Sequence, residues 1–182
     1  PIAELSSLMD KLARGQRLAS LPAPASCDVV RVVRATASIL DSVLPPAARL
    51  ELVIGASPTV RMEPADLGQV LVHLIMNAAQ ALGTVPEAHP GVVTVEVREN
   101  AGTAEIVVSD TGPGIARDRL VRIFDACFTT REGAAGLGLS LVQQLVTQAG
   151  GTVHAESELG AGATLIVRLP QAHTDSVGLA RR

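Results

Sequence analysis

At 182 residues the chain has length for one well-cored domain and a short appendage, and 47% hydrophobic against 18% charged residues places it among globular rather than disordered proteins. A net charge of −3 with no basic run, and an aromatic share of 1% from two Phe, exclude an electrostatic footprint for DNA or RNA and the ring platforms that stack single-stranded bases. Cys27 and Cys127 fit neither a metal spacing nor a disulfide framework, and the longest apolar run, Val70 to Met76, is broken by His73. Free thiols in a soluble cytoplasmic domain are therefore expected, with room for a membrane segment elsewhere in a parent protein.

In chain order, residues 2–18 predict a helix with Ile2, Leu5, Leu8, Met9 and Leu12 on one stripe. Residues 21–27, rich in Pro and Ala, predict a linker. Asp28 is suited to cap a helix running to about Leu44, where Pro45-Pro46 stops it. Leu50, Leu52 and Ile54 alternate as a strand does. Residues 64–82 carry the clearest helical spacing, with Leu67, Val70, Leu71, Leu74, Ile75, Ala78 and Leu82 on one face and Pro64 in the first turn.

Two alternating runs, Val92 to Arg98 and Ala104 to Ser109, flank Asn100-Ala101-Gly102 and predict a hairpin. A turn at Asp110 to Gly114, a short helix from Arg117 to Phe124, a loop over 125–136 and a helix from Leu137 to Ala149 follow, the last closed by Gly150-Gly151. Thr152 to Ser157 and Ala163 to Leu169 predict a second hairpin, and residues 171–182 a frayed tail. Helices and mostly antiparallel strands in blocks predict an α+β class, a two-layer sandwich with helices on one sheet face. Residues 28–170 form the expected domain.

Chemistry is concentrated in a few segments. Asp110-Thr111-Gly112-Pro113-Gly114 directly follows a strand; its carboxylate can accept from an exocyclic amine and its glycines let backbone approach a flat ring, though the same turn serves purely structural ends elsewhere. Gly136-Leu137-Gly138-Leu139-Ser140 opens a helix whose free N–H groups suit phosphate, unless the glycines serve only a tight turn. It lacks both a Walker lysine and the immediately preceding strand of a Rossmann fingerprint. His73 and Asn77 lie four apart, hence on one helix face, and the Asn77 amide oxygen suits a hard cation; a solvated polar strip is the alternative. Phe124 and Phe128 bracket a segment leading to Thr129, Thr130 and Arg131, placed to face a triphosphate, while phenylalanines are more often core.

The order of these segments resembles the histidine-kinase branch of the Bergerat-fold ATPases over roughly residues 28–170. An N box, a D-x-G-x-G box, an F box and a G-L-G-L box match Asp66 to Ala78, Asp110 to Gly114, Phe124 to Phe128 and Gly136 to Leu139. The short stretch from Phe128 to Gly136 looks like the brief ATP lid of nitrogen-regulator-type sensor kinases. The resemblance implies ATP as substrate. Asn77 would hold Mg²⁺, Asp110 would bind the adenine amine, and Gly112 and Gly114 would line the base. Gly136 and Gly138 would admit the phosphates, Phe128, Thr129, Thr130 and Leu137 would join them in binding the nucleotide, and Arg131 would sit in place of a lid lysine.

The chain departs from the pattern at His73, where an asparagine is usual, at Ala126 and Cys127 in the F box, and at Ala134. His73 is thus a candidate catalytic residue or a hydrogen-bonding substitute. None of His73, His89, His154 and His173 stands in a His-Glu/Asp-x-x-x-Pro-like context, so the phosphoacceptor histidine is expected on a separate helical hairpin, of which residues 1–20 resemble the end. A response-regulator receiver domain is the implied onward partner. A serine-kinase anti-sigma factor and a non-catalytic nucleotide-binding scaffold share the boxes. A gyrase-type ATPase would carry glutamate at position 73.

Overall fold

The computed structural model describes residues 26–83, 91–129 and 135–172. The expected helix over 2–18 therefore lies outside the described residues. Strand β1 (Ser26–Asp28) leads into helix α1 (Val29–Leu40), then strands β2 (Ala48–Ile54) and β3 (Thr59–Arg61). Helix α2 (Pro64–Leu82) precedes the hairpin of β4 (Gly91–Asn100) and β5 (Thr103–Asp110). Helices α3 (Arg117–Leu120) and α4 (Gly138–Gln148) and the hairpin of β6 (Thr152–Ser157) and β7 (Ala163–Pro170) complete the order.

Several boundaries differ from the sequence expectation for local reasons. The Asp28 cap forms, its carboxylate accepting the Arg31 N–H at 3.0 Å. Yet α1 ends at Leu40, before Pro45: the Ser42 hydroxyl donates to the Ile39 carbonyl at 2.8 Å, and the Val43 N–H turns back to Leu40. Ser26 and Cys27, expected in the linker, instead pair with β3, a strand too short to show a period. The helix expected from Arg117 to Phe124 is one turn, with turns continuing to Cys127. Gln171 and Ala172, expected in the tail, are bonded to the domain through the Gly102 and Thr59 carbonyls.

The main sheet has the order β2-β4-β5-β7-β6, antiparallel except for β2, which runs parallel to β4. Register decides what each face carries. Val95, Val108 and Leu165 lie in one row across β4, β5 and β7, and Val97, Ile106 and Val167 in the next, all 2% exposed or less. These rows face α2, which buries Leu67, Val70, Leu71, Leu74 and Ile75 completely, while Val33 of α1 and Val142 and Val146 of α4 close the core from the sides. This is the α+β sandwich expected, with its helices on one face.

The outer face follows from the same register. Arg98, Glu105 and Arg168 stand in one row, and Glu105 accepts from the Arg98 Nε at 2.8 Å and from the Arg168 Nε at 2.6 Å. The Arg168 and then the Arg98 hydrogen bonds hold the Glu105 carboxyl below its ordinary value. Its stabilising effect is therefore full above the ordinary carboxylate range and is lost as pH falls through the depressed pKa. Glu105→Gln is expected to cost about 1–2 kcal/mol at neutral pH, since both arginines are exposed enough to rehydrate. Urea unfolding should show this gap closing on acidification; a gap that widens there contradicts the assignment.

Candidate functional site

Helix α2 is the rigid wall of the site. Its apolar stripe is buried, so the opposite stripe, His73, Met76, Asn77 and Gln80 at helical spacing, faces outward. These four side chains line a cavity of about 500 Å³. Gly114, Ile115, Ala116 and Arg119 line it from the segment after β5, Ile123, Phe128 and Thr129 from the following turns, Ala135 to Leu139 from the start of α4, and Leu159 from the β6–β7 turn. The structure thus gathers His73, Asn77, Gly114, Phe128, Thr129, Gly136, Leu137 and Gly138 of the sequence candidates around one space. Thr130 and Arg131 lie outside the described residues.

Asp110 and Gly112 are not among the lining residues. Asp110 ends β5, bonded to a strand on either side, and its carboxylate accepts the Gly112 N–H at 2.8 Å, which folds the turn onto itself. Gly112 is buried there, with the Ala81 methyl 3.5 Å from where a Cβ would sit. At 8% exposure, burial pushes the Asp110 carboxyl above its ordinary value, an effect the Gly112 and Ala163 N–H groups partly offset. A nearly buried carboxylate is a costly feature that a bound hydrogen-bond donor would relieve further.

Two glycines fix the backbone around the cavity. Gly114 has φ +72°, and a Cβ there would run into the Glu158 carbonyl of the β6–β7 turn. The two turns are tied by Gly160 N–H to Pro113 carbonyl at 2.8 Å and by the Ile115 N–H to Ser157 Oγ at 2.8 Å. Gly136, at φ +66°, lies where a Cβ would come within 2.7 Å of the Cys127 and Phe128 backbone. The glycine-rich stretch therefore rests directly on the segment between the phenylalanines. Cys127 itself is exposed and takes φ +64°, an uncommon conformation for a residue with a Cβ. Beside it, the Arg122 guanidinium lies 4.7 Å over the Phe128 ring.

Helix α4 begins at Gly138 with no side-chain cap among the described residues, and the N–H groups of its first turn suit an anion. Arg119 is the lining residue with a permanent charge among those described, and its exposed side chain has no ion pair among them. Sequence reasoning missed it because a one-turn helix gives no period to orient a side chain. Gln80 was missed as well, although it lies about one turn from Asn77 and helical spacing carried the signal.

Residues 62–173 match the family described as histidine kinase-, DNA gyrase B-, and HSP90-like ATPase. The chain belongs to this family. It is 41% identical over 113 residues to the sensor histidine kinase ZraS of Escherichia coli strain K12, an alignment covering 62% of this chain and 23% of that protein. The chain thus spans about a quarter of the length of the curated relatives it matches. The full-length ShkA structure in complex with AMPPNP superimposes with a TM-score of 0.71 at 30% identity, over 93% of this chain and 36% of that one. A mycobacterial sensor histidine kinase, MprB, shares the fold, with a TM-score of 0.70 at 24% identity, covering 81% and 97% of the two chains. The architecture is the Bergerat fold of histidine-kinase catalytic domains. No helix among the described residues is long and apolar enough to cross a membrane.

Two substitutions test this geometry. Gly114→Ala is expected to destabilise the domain by about 2 kcal/mol or more, from backbone strain and the collision with Glu158. An unchanged thermal midpoint would contradict the interlocked turns. Asp110→Asn keeps an oxygen for the Gly112 N–H and removes a desolvated charge. Because the carboxyl's pKa is raised, its cost is present at neutral pH and disappears as pH falls through that pKa. The ligand-free variant should therefore unfold at the same or a higher denaturant midpoint than wild type at pH 7, and a lower one refutes the burial argument.

Proposed function

We propose that residues 26–172 are the ATP-binding catalytic domain of a sensor histidine kinase, transferring the γ-phosphoryl of ATP to a histidine on a separate helical hairpin. The observation that carries this reading is the meeting, around one cavity, of the polar stripe of α2, the Gly114 turn and the uncapped start of α4. Asp110 receives the adenine amine at the closed end of the D-x-G-x-G turn. Its desolvated carboxylate gains a donor there, while Gly112 and Gly114 keep the backbone flat beside the ring. Phosphates then lie towards Gly136 to Gly138, where the helix N-terminus supplies N–H groups and the positive end of its dipole. Phe128, Thr129, Thr130 and Leu137 border the phosphate end, and Arg119 and Arg131 add cationic contacts.

The donor set fits Mg²⁺. Asn77 would offer an amide oxygen from a fixed helix, and the triphosphate and water would supply the remaining oxygens. When bound, Mg²⁺ neutralises charge that develops on the transferring phosphoryl group. The chain's own residues hold the nucleotide in line for attack and limit water at the cavity mouth, where Leu137 and Leu159 are exposed.

The acceptor histidine lies on a hairpin upstream or on a partner, and residues 1–20 are proposed as the end of that hairpin. A receiver-domain aspartate is the onward acceptor, and the domain works as the cytoplasmic part of a sensor whose parent chain is membrane-associated.

Calorimetric titration with ATP and Mg²⁺ should show binding. Asn77→Ala and Asp110→Asn should each weaken it by at least tenfold, roughly 1.4 kcal/mol or more. Arg119→Ala should weaken ATP binding several-fold while leaving adenosine binding unchanged, because its contact is with the phosphates. Incubation of labelled ATP with the chain and a cognate phosphoacceptor hairpin should label the hairpin. Nucleotide binding without transfer to any such hairpin would sink the kinase reading and leave the pocket standing.

A further inference from the structure

His73 is placed where the nucleotide reading puts phosphate and cation, and it brings a different donor chemistry from anything else on α2. It lies one turn before Asn77, which puts the two Cβ atoms roughly 5–6 Å apart on the same helix face, and both side chains line the cavity. The ring is held against the start of α4: its Nδ1 is 3.2 Å from where a Cβ of Gly138 would sit, with Cγ at 3.8 Å and Cε1 at 3.9 Å. Any side chain at position 138 would press on the imidazole. The glycine thus lets the ring lie against the helix N-terminus. No group of three His, Cys, Asp or Glu among the described residues is arranged to hold a metal. A cation at this place must therefore arrive with oxygens from the nucleotide.

We propose that the His73 imidazole joins the Asn77 amide oxygen as a ligand of the nucleotide-borne divalent cation, and thereby makes the site favour Mn²⁺ and Co²⁺ over Mg²⁺. The proposal rests on the nucleotide reading above. Mg²⁺ is a hard ion with a strong preference for oxygen and water, whereas imidazole nitrogen is a better ligand for the divalent transition ions, more so for Co²⁺ than for Mn²⁺. An all-oxygen set separates Mg²⁺ from Mn²⁺ weakly; replacing one oxygen by a ring nitrogen raises the transition-metal side of the balance. His73 is a specificity-determining residue in this scheme, and Gly138 is the residue that orients its ring.

AMPPNP binding to the full 182-residue chain, measured by calorimetry with Mg²⁺, Mn²⁺ or Co²⁺, tests the proposal together with pulsed EPR of the Mn²⁺–ADP complex. The wild type should bind the Mn²⁺ and Co²⁺ complexes roughly tenfold more tightly, relative to Mg²⁺, than His73→Asn does. His73→Asn should also bind the Mg²⁺ complex at least as tightly as wild type, a result that a damaged fold cannot produce. The EPR signal of the wild type should show coupling to a directly bound nitrogen. That coupling should change on ¹⁵N-histidine labelling and vanish in His73→Ala. Equal metal preference in wild type and His73→Asn, with no histidine coupling, overturns the proposal while nucleotide binding stands. A wild type that binds no nucleotide with any of the three ions overturns both this proposal and the nucleotide reading.

Discussion

The packing of α2 against the sheet is the constraint on which the rest of the structure depends. One side of the helix contributes Leu67, Val70, Leu71, Leu74 and Ile75, none with measurable exposure, to the rows of Val, Ile and Leu from β4, β5 and β7. Truncating any one of these leucines to alanine would cost about 2–5 kcal/mol, a large part of a domain's net stability. The other side of the same turns presents His73, Met76, Asn77 and Gln80 to the cavity. The positions of the polar groups are therefore inherited from the core. With 3.6 residues per turn, neither stripe can rotate without exposing the other.

The opposite wall is positioned by turns rather than by a helix. The β6–β7 turn lies on the Pro113–Gly114 backbone, and Ser157 links the two, accepting from the Ile115 N–H and donating to the Gly162 carbonyl at 2.7 Å. Polar groups that would otherwise be stranded in a loop are thereby satisfied by the neighbouring hairpin. The result couples the end of the central strand to the edge of the sheet. Asp110, paired with Val93 on one side and Ala163 on the other, is held by backbone on both flanks.

How far this was legible in the sequence varied with the length of the signal. The 19-residue periodicity of α2 and the alternation of the two hairpins fixed the fold class and the buried face. The turn at Ala101 and Gly102 was equally plain, both residues taking positive φ as a tight hairpin demands. Strand β3 was not legible, because three residues show no period, and neither was its pairing with β1 across the whole of α1 and β2. For the site, order and spacing of the four boxes brought out His73, Asn77, Gly114, Phe128, Thr129, Gly136, Leu137 and Gly138, eight of the seventeen residues that line the cavity. Arg119, Ile123 and Leu159 were missed because their orientation is set by tertiary contacts of turns, for which single-sequence patterns carry no phase. The burial of Asp110 and Gly112 away from the open cavity was hidden for the same reason: the Asp110 side chain bonds its own turn, a local event that the motif does not encode.

The sheet order also sets how much chain each strand pairing must close over. The β4–β5 and β6–β7 hairpins close over loops of two and five residues, so they cost little chain entropy and form on the microsecond scale. Strand β2 has no such short route. It pairs in parallel with β4, from Ala48 with Gly91 to Ile54 with Val97, across a connection that contains the whole of α2. The β1–β3 pair closes over α1 and β2, and the bridge from Val60 to Gln171 joins segments far apart in sequence. The closures that join distant parts of the chain therefore lie at the β2 edge of the sheet and at the small β1–β3 ribbon, away from the wall that carries His73 and Asn77.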